Sequence, residues 1–344
     1  MQSPVRFALV GAGRIAQSYM AAFAGCEQAA LVGVMDTQPD AASALGAAAG
    51  CPSFTSLEEM VQTADPEVAI VAVPPVCHEA AAKALLGQGV HVLCEKPFAI
   101  DSGAAARMVS SAREAGRIVT MASKFRYVDD VERAKSMVAS GLLGDPILFE
   151  NTFAARVDMS RRWNSEPKIS GGGVLIDNGC HSVDLVRYLI GPVTRVSAVE
   201  CMRVHGLGVE ETVQLCLQTE SGTLGSVSLS WSIQPEKSDY LRVHGSEGTL
   251  VVGWEESKWR AAASPAWTSF GNGYDKVRAF RRQLANVAGA VRGREELLID
   301  ARDAVASVAV IETAYEAMRR GEWVPVPSLA GNGHLQHATH RAGH

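Results

Sequence analysis

Short apolar runs alternate with Ala-rich amphipathic stretches through the first third of the chain. The stretches between the runs have helical spacing, and two of them begin with the helix-capping residues Ser56 and Asp101. Regular alternation of strand and helix predicts an α/β domain with a parallel, doubly wound sheet over residues 1–123. Its strands are predicted as the runs that are almost entirely apolar, as expected of strands buried on both faces: Val5–Val10, Ala30–Met35, Val68–Val73, Val90–Cys94 and Ile118–Ala122.

The pattern changes after residue 123 to strand-like runs in which apolar and polar residues alternate. In one of them Leu224, Val227, Leu229 and Trp231 are interleaved with Gly and Ser, which indicates one apolar and one polar face. These runs are Ile147–Arg156, Val193–His205, Glu211–Glu220, Thr223–Ile233 and Tyr240–Val252. Helical patterns are predicted over Val128–Ser140, Asp275–Arg292 and Asp300–Arg320. We therefore expect an α+β domain with an open, mainly antiparallel sheet over residues 124–325.

Composition excludes several classes of protein. The chain has 344 residues, of which 47% are hydrophobic and 20% charged, and its formal net charge is −5. This balance offers no attraction to nucleic acid or to anionic membranes, and no uncharged apolar run is long enough to span a bilayer. The amino-terminal residues lack the pattern of a signal peptide, which predicts a cytoplasmic location. Residues 326–344, which contain four histidines, are predicted to form a disordered tail.

A glycine-rich turn follows the first predicted strand directly. Gly11 permits a tight turn, Gly13 lets the backbone approach a pyrophosphate, and Ala16 lets the following helix pack closely on the strand. With Arg14 and Ile15 between them, these residues are typical of the dinucleotide-binding turn of a Rossmann fold, in which the helix N-terminus holds the phosphates.

Asp36 stands at the end of the second predicted strand, twenty residues after Ala16. A carboxylate at that place can accept hydrogen bonds from the adenosine ribose hydroxyls, and its charge would repel a 2′-phosphate. The residues that follow it include no arginine to bind such a phosphate. The pattern therefore favours NAD over NADP. The alternative is that Asp36 only caps the turn before the next helix.

Glu95, Lys96 and Pro97 lie just beyond the fourth predicted strand. Ligands of doubly wound sheets bind at that edge, and a lysine there can stabilise negative charge that develops on a reacting oxygen. Pro97 fixes the backbone after the lysine, and a cis peptide bond before it would direct Lys96 into the cleft. Alternatively, Glu95 and Lys96 are a solvated pair.

Three glycines, Gly171–Gly173, precede a helical pattern that carries Asp177 and His181. If the helix is continuous from about residue 174, these two side chains stand one turn apart on one face. They could be a buried structural pair, two metal ligands, or an acid–base pair in which His181 takes a hydroxyl proton and Asp177 orients it or binds the neighbouring hydroxyl. The segment supplies no further ligand, so we predict no metal. The glycines would allow a ligand to approach closely, or would simply make the loop flexible.

Taken together, these motifs resemble the glucose–fructose oxidoreductase/inositol dehydrogenase/MocA (Gfo/Idh/MocA) family, and the resemblance covers nearly the whole chain. It is carried by Gly11–Ala16, Asp36, the Pro74-Pro75 run with His78, Glu95–Pro97 and Gly171–His181. The resemblance implies a cleft with Lys96, Asp177 and His181 as its catalytic set. Since some members have a tyrosine in place of the histidine, His181 places this chain with the inositol- and sugar-dehydrogenase-like branch.

The resemblance also implies roles around this set. Glu95 would touch the nicotinamide ribose, while Pro74 and His78 would line the cofactor pocket. The substrate would be a polyol or sugar whose secondary alcohol exchanges a hydride with the nicotinamide. Alternatives are an NADPH-dependent sugar or imine reductase and, in another class, a regulator that senses a dinucleotide without turnover. The open sheet predicts a homodimer or homotetramer.

Further substrate contacts are predicted around the catalytic set. Arg126 follows the fifth strand, and Arg156 and Trp163 precede the triple glycine. An arginine there could bind a phosphate or carboxylate, and the indole could stack on a sugar ring. Lys124, Arg161 and Arg162 are weaker candidates of the same kind. The alternative is an ordinary charged loop with no ligand.

Overall fold

The computed structural model describes residues 3–236 and 238–328. Its first sheet has six parallel strands in the order β3-β2-β1-β4-β5-β6. The predicted doubly wound domain is thereby confirmed. The strands β1 to β6 are Val5–Val10, Ala29–Met35, Ser53–Phe54, Val68–Val71, His91–Glu95 and Val119–Ala122. The short β3 escaped prediction because two residues carry no periodicity.

Five helices connect these strands, and the polar residues at their ends explain where they begin. The Ser56 side chain accepts a hydrogen bond from the amide of Glu59, and that of Asp101 from the amide of Ala104. Such N-caps each stabilise a helix by about 1 kcal/mol, so both capping predictions are confirmed. The helices α1 to α5 are Ala16–Phe23, Pro39–Ala49, Leu57–Ala64, His78–Gly87 and Ser102–Ala115.

The second sheet has nine strands in the order β14-β13-β12-β11-β7-β10-β9-β8-β15. All of its pairs are antiparallel except β7 with β10, which confirms a mainly antiparallel sheet. The strands β7 to β15 are Pro146–Ala154, Val193–Glu200, Thr212–Thr219, Leu224–Ser230, Asp239–Gly245, Gly248–Gly253, Ser257–Ala261, Thr268–Gly271 and Val324–Pro325. The amide of Val326 also bonds Thr194. The first residue of the predicted tail therefore lies beside β8, whereas residues 329–344 lie outside the described part of the chain, and the tail stays a prediction.

Helices cover one face of the second sheet. The helices α6 to α11 are Asp129–Ala139, Pro167–Ser170, Val174–Asp177, Gly179–Leu189, Lys276–Val291 and Ala301–Arg320. Val227 and Leu229 of β10 point to the covered face and are buried, whereas Leu224 is half exposed on the other face because side chains alternate along a strand. Leu224 was therefore assigned to the wrong face. The homo-oligomer predicted from the open face stays a prediction.

The last part of the chain returns to the first domain. Helix α10 packs against α1, where the rings of Phe280 and Tyr19 meet edge to face at 4.8 Å. Phe280 and Leu284 belong to the same buried cluster as Phe7 and Leu9 of β1. The predicted boundary at residue 123 stays a prediction, but α10 completes the core of the domain before it. None of the helices in the described residues is both long and apolar enough to cross a bilayer.

Candidate functional site

A cleft of about 640 Å³ lies between the two sheets. It is bounded by the residues that follow β1, β4 and β5 on one side and by the ends of β7, β10 and β12 on the other. Carboxyl ends of parallel strands meet at one edge of a sheet. Residues from three separate motifs line this single space: Gly13, Lys96, and the pair Asp177 and His181.

The glycine turn has the geometry of an anion cradle. Gly11 has a φ of +102°, and a Cβ there would lie 2.6 Å from the carbonyl oxygen of Ala72, so no other residue fits. A Cβ on Gly13 would meet nothing within 4 Å. In the described chain, the amides of Gly13, Arg14 and Ile15 donate to no backbone acceptor. Free amides before a helix suit a pyrophosphate, so this turn fits a dinucleotide.

Asp36 stabilises that turn through hydrogen bonds from backbone amides. One of its carboxylate oxygens accepts a hydrogen bond from the amide of Ala12 at 2.7 Å, and the other accepts one from the amide of Gln38 at 2.9 Å. Asp36 therefore caps the turn before α2, as the alternative proposed. Each carboxylate oxygen has two lone pairs, so the half-buried side chain retains capacity for ribose hydroxyls.

Glu95 is held in place by α1 and by its own loop. The Tyr19 hydroxyl donates to one carboxylate oxygen at 2.7 Å, and the Lys96 amide donates to the other at 3.2 Å. Burial raises the pKa of Glu95, while the Tyr19 hydrogen bond and the Lys96 ammonium oppose that shift. Tyr19 was not predicted as part of the site. It lies inside an apolar helix pattern that gave no sign of its partner.

Lys96 pairs with Asp177 across the cleft. Its Nζ lies 2.6 Å from Oδ1 and 3.0 Å from the backbone oxygen of Asp177, and the peptide bond to Pro97 is cis, as predicted. Burial alone would lower the pKa of Lys96, but the Asp177 carboxylate raises it above its ordinary value. Lys96 is therefore a fixed positive charge at neutral pH.

The predicted link between Asp177 and His181 is wrong. The helix is interrupted at Asn178, so that α8 ends at Asp177 and α9 begins at Gly179. Among the described residues no hydrogen bond joins the two side chains, because the Asp177 carboxylate is directed to Lys96. Residues 3–236 and 238–328 contain no group of three or more His, Cys, Asp or Glu that could hold a metal ion.

His181 lies between two aromatic rings and two ammonium groups. Its ring meets that of Phe125 edge to face at 4.9 Å and that of Phe153 at 6.3 Å. Its Nδ1 is buried with no partner in the described chain, so Nε2 is the nitrogen that can reach the cleft. Burial, together with Lys96 and Lys124, lowers its pKa well below 6.5. The ring is therefore a neutral base at pH 7.

Lys124 belongs to the cleft wall. Its Nζ lies over the rings of Phe125, Tyr274 and Phe280, at 5.4, 5.9 and 5.9 Å from their centroids. Burial, and then the nearby Lys96, lower its pKa to about 8. Its position after the fifth predicted strand made it a weak candidate, and the structure places it among the lining residues.

Aromatic side chains form the opposite wall. Trp163 lines the cleft with 41% of its surface exposed, and its contact with a sugar ring stays a prediction. Trp231, Trp254 and Phe153 line it as well and were not predicted as site residues. The alternation in the β10 run placed Trp231 on the apolar face, but nothing in that run showed that the face extends into a ligand cleft.

Three of the predicted contact residues lie elsewhere. Arg126 is 3% exposed, and its guanidinium bonds Asp184 and Asp303. It therefore ties α9 to α11. The side chain of Arg156 is exposed and does not line the cleft. His78 is buried, with its ring nitrogens 2.9 Å from the carbonyl oxygens of Val73 and Pro97, where it joins two loops.

Pro74 follows Val73 and is half-buried beside the cleft rather than among its lining residues. The lining residues of the cleft likewise do not include Gly11, Ala16 or Asp36. These three residues shape the turn that places Gly13, Arg14 and Ile15 at the cleft. Of the predicted cofactor residues, those that line the cleft itself are Gly13, Arg14, Ile15, Glu95 and Lys96.

The triple glycine serves packing rather than ligand approach or flexibility. A Cβ on Gly172 would lie 1.9 Å from the Tyr315 hydroxyl, and one on Gly173 would lie 2.1 Å from the Glu210 backbone oxygen. The Glu210 carboxylate accepts hydrogen bonds from the Gly173 amide and from the Tyr315 hydroxyl. These contacts hold α8, and with it Asp177, against the cleft.

Two models of one protein family match successive parts of the chain. Residues 5–123 match the NAD-binding Rossmann fold of an oxidoreductase family, and residues 131–251 match the GFO/IDH/MocA C-terminal domain. Together they span most of the chain and include the glycine turn, Glu95–Lys96 and Asp177–His181, whereas Lys124 and Phe125 lie between the two matches.

Curated relatives and solved structures agree with these matches. The chain is 24% identical to inositol 2-dehydrogenase of Rhizobium meliloti, over 91% of this chain and 97% of that one. It is 27% identical to D-xylose 1-dehydrogenase (NADP(+)) 2 of Haloferax volcanii, over 81% and 87%. The WlbA dehydrogenase from Bordetella pertussis, solved with NADH and UDP-GlcNAcA, superposes with a TM-score of 0.83 at 26% identity, over 95% of this chain and 99% of that one.

Proposed function

The chain belongs to the Gfo/Idh/MocA oxidoreductase family, whose members act on sugars and polyols with a nicotinamide dinucleotide, and from that premise we propose that it is an NAD-dependent dehydrogenase of a cyclitol or sugar. One observation carries the proposal. The Lys96–Asp177 pair and the accessible Nε2 of His181 line the same cleft as the free amides of the glycine turn. The cleft is thus lined by a proton acceptor, by a fixed positive charge and by the turn that would bind the dinucleotide.

The mechanism assigns a separate role to each of the three side chains. His181 Nε2 takes the proton of a secondary hydroxyl, since its ring is neutral at pH 7. The Lys96 ammonium stabilises the oxygen while it carries negative charge. Asp177 holds Lys96 in position and keeps it protonated, which replaces the expected role of orienting the histidine. In the reductive direction His181 returns the proton to the same oxygen.

The cofactor would be held by this chain's amino-terminal motifs. The amides of Gly13, Arg14 and Ile15 would bind the pyrophosphate, Asp36 the adenosine ribose, and Glu95 the nicotinamide ribose. When bound, the nicotinamide supplies the hydride acceptor or donor for the substrate carbon. Every other requirement of the reaction, including orientation and electrostatic stabilisation, comes from the protein.

The test is an activity panel with the full-length protein. We expect absorbance of reduced nicotinamide to appear when NAD is mixed with at least one inositol, hexose, pentose, sugar acid or nucleotide sugar. The reductive direction is followed with NADH and the corresponding ketones. If the protein binds NADH but turns over none of the panel compounds in either direction, the result would favour the dinucleotide-sensing regulator. If ketones are reduced with NADPH but not with NADH, the result would favour the NADPH-dependent sugar or imine reductase.

Asp36→Asn is expected to reduce the preference for NADH over NADPH by about 10-fold, since a hydrogen bond to a charged group is worth roughly that factor. The amide keeps one acceptor for the glycine turn but removes the charge that repels a 2′-phosphate. Dissociation constants follow from nicotinamide fluorescence, with no substrate required. Asp40→Asn, at an exposed carboxylate on α2, is the matched control. An unaltered preference in Asp36→Asn would contradict the ribose contact.

A further inference from the structure

The cleft carries more positive charge than its own carboxylates can balance. Among the described residues, its lining includes five cationic side chains and two carboxylates, Glu95 and Asp177. The cations are Arg14, Lys96, Lys124, Arg162 and Lys276. The whole chain has a net charge of −5, so this concentration of cations is local to the cleft. A cleft lined by one sign of charge attracts ligands of the other.

The excess lies in cations that have no carboxylate partner. Lys96 is paired with Asp177. By contrast, Arg14, Lys124 and Arg162 take part in none of the ion pairs found in the part of the chain that the structure describes. The same is true of Lys276, which is exposed to solvent. Holding a half-buried ammonium such as Lys124 without a counterion costs free energy. A bound anion would recover that cost.

These unpaired cations occupy two different regions of the cleft. Arg14 belongs to the glycine turn, where the two phosphates of the cofactor would balance it. Lys124 lies close enough to His181 to help lower the pKa of that ring, while burial and the nearby Lys96 lower the pKa of Lys124 itself. Arg162 lies between these regions, near enough to Arg14 and to Asp177 to interact with both charges. Lys124 and Arg162 thus border the place where the substrate hydroxyl must lie.

We infer that Lys124 and Arg162 form a subsite for a carboxylate on the substrate, so that the enzyme acts on a sugar acid or cyclitol acid. The inference rests on the proposed function and specifies its substrate class. The indole rings of Trp163 and Trp231 in the same lining would pack on the sugar ring.

Charge balance favours a carboxylate over a phosphate monoester. In the complex with NADH, the two phosphates of the cofactor would offset two of the three excess positive charges, which leaves one for the substrate. A carboxylate carries one negative charge, whereas a phosphate monoester carries nearly two at pH 7. Arginine also matches a carboxylate in shape, because its planar fork can donate two parallel hydrogen bonds.

Calorimetric titration of the NADH-saturated enzyme tests this subsite without turnover. The probes are matched pairs, D-glucuronate with D-glucose and D-gluconate with D-glucitol, and D-glucose 6-phosphate as a separate arm. We expect at least one acid to bind 10-fold or more tightly than its neutral partner, and tighter than the phosphate. Lys124→Met and Arg162→Met should each reduce the ratio of acid to neutral affinity by about 10-fold, and Lys124→Arg should largely retain it.

The chain offers matched controls for both substitutions. Lys135 is another half-buried lysine, with its Nζ 5.8 Å from the centroid of the Tyr188 ring, and Arg161 is the exposed neighbour of Arg162 outside the cleft lining. Lys135→Met and Arg161→Met should keep the acid preference. Four results would overturn the subsite. The acids could bind no more tightly than their neutral partners, or neither class could bind at all. The phosphate could bind more tightly than the acids, or the acid preference could survive both Lys124→Met and Arg162→Met. Acid preference without turnover in any assay would instead refute the proposed dehydrogenase.

Discussion

Replacement of Lys96 by Met is expected to lower kcat by roughly 10³-fold, because loss of a group that stabilises a developing oxyanion costs about that factor. Met keeps most of the side-chain volume and removes the ammonium that lies 2.6 Å from Asp177. The substrate oxygen would then carry its charge beside an unpaired carboxylate, which adds to the loss. The measurement is steady-state kcat with the substrate that the panel identifies.

Two readouts separate this loss from a structural defect. Affinity for NADH, measured by fluorescence, should change much less than kcat, since the amides of the glycine turn are untouched. The melting temperature should confirm a folded protein. Lys83→Met, at a lysine on α4 that pairs only with Glu79 at the surface, is the control and should keep full activity. Turnover of Lys96→Met within a few-fold of the unmodified enzyme would remove Lys96 from the catalytic set.

Replacement of His181 by Asn is expected to lower kcat by about 10²- to 10⁴-fold, the usual contribution of a positioned general base. The pH profile provides a sharper signature than the magnitude. Burial and the two flanking ammonium groups lower the pKa of His181 well below 6.5. A base acts in its deprotonated form, so kcat/KM for oxidation should remain on its plateau as the pH falls through 6.5 and decline only at more acidic pH. The variant should lack that decline.

His244 is the matched control for this substitution. Its ring is half-buried on the open face of the second sheet, where Nε2 lies 2.9 Å from Glu150, and it does not line the cleft. His244→Asn should leave kcat and the pH profile intact. A profile that declines near pH 6.5 in both the unmodified protein and His181→Asn would show that a different group is the base.

The local geometry of the cofactor motif could be predicted from the amino-acid sequence. Gly11 requires a positive φ and a close approach to Ala72, and only glycine satisfies both. Strand, turn and helix follow one another within a dozen residues, so their relation is set by local backbone conformation. The same holds for the cis bond before Pro97 and for the N-caps at Ser56 and Asp101, where side chain and partner are neighbours along the chain.

Partners that are distant in sequence could not be predicted in this way. Asp177 was expected to contact His181, but its carboxylate is bound by Lys96, which is 81 residues away. Arg126 looked like a substrate ligand because arginines often bind anions, yet Asp184 and Asp303 bury it. His78 looked like a pocket residue, yet two backbone carbonyls enclose its ring.

The amino-acid pattern thus decided the two sheets, the cofactor turn and the residue types from which a catalytic set could be built, since each depends on backbone preference and on burial periodicity over a few residues. Tertiary packing decided which charged side chains form ion pairs with each other. It paired Lys96 with Asp177, left Lys124 and Arg162 outside the ion pairs of the described residues, and kept His181 neutral. The physical reason is that Coulomb interactions and desolvation depend on distance in space and on the burial of both partners, and neither quantity is encoded in the spacing along the chain.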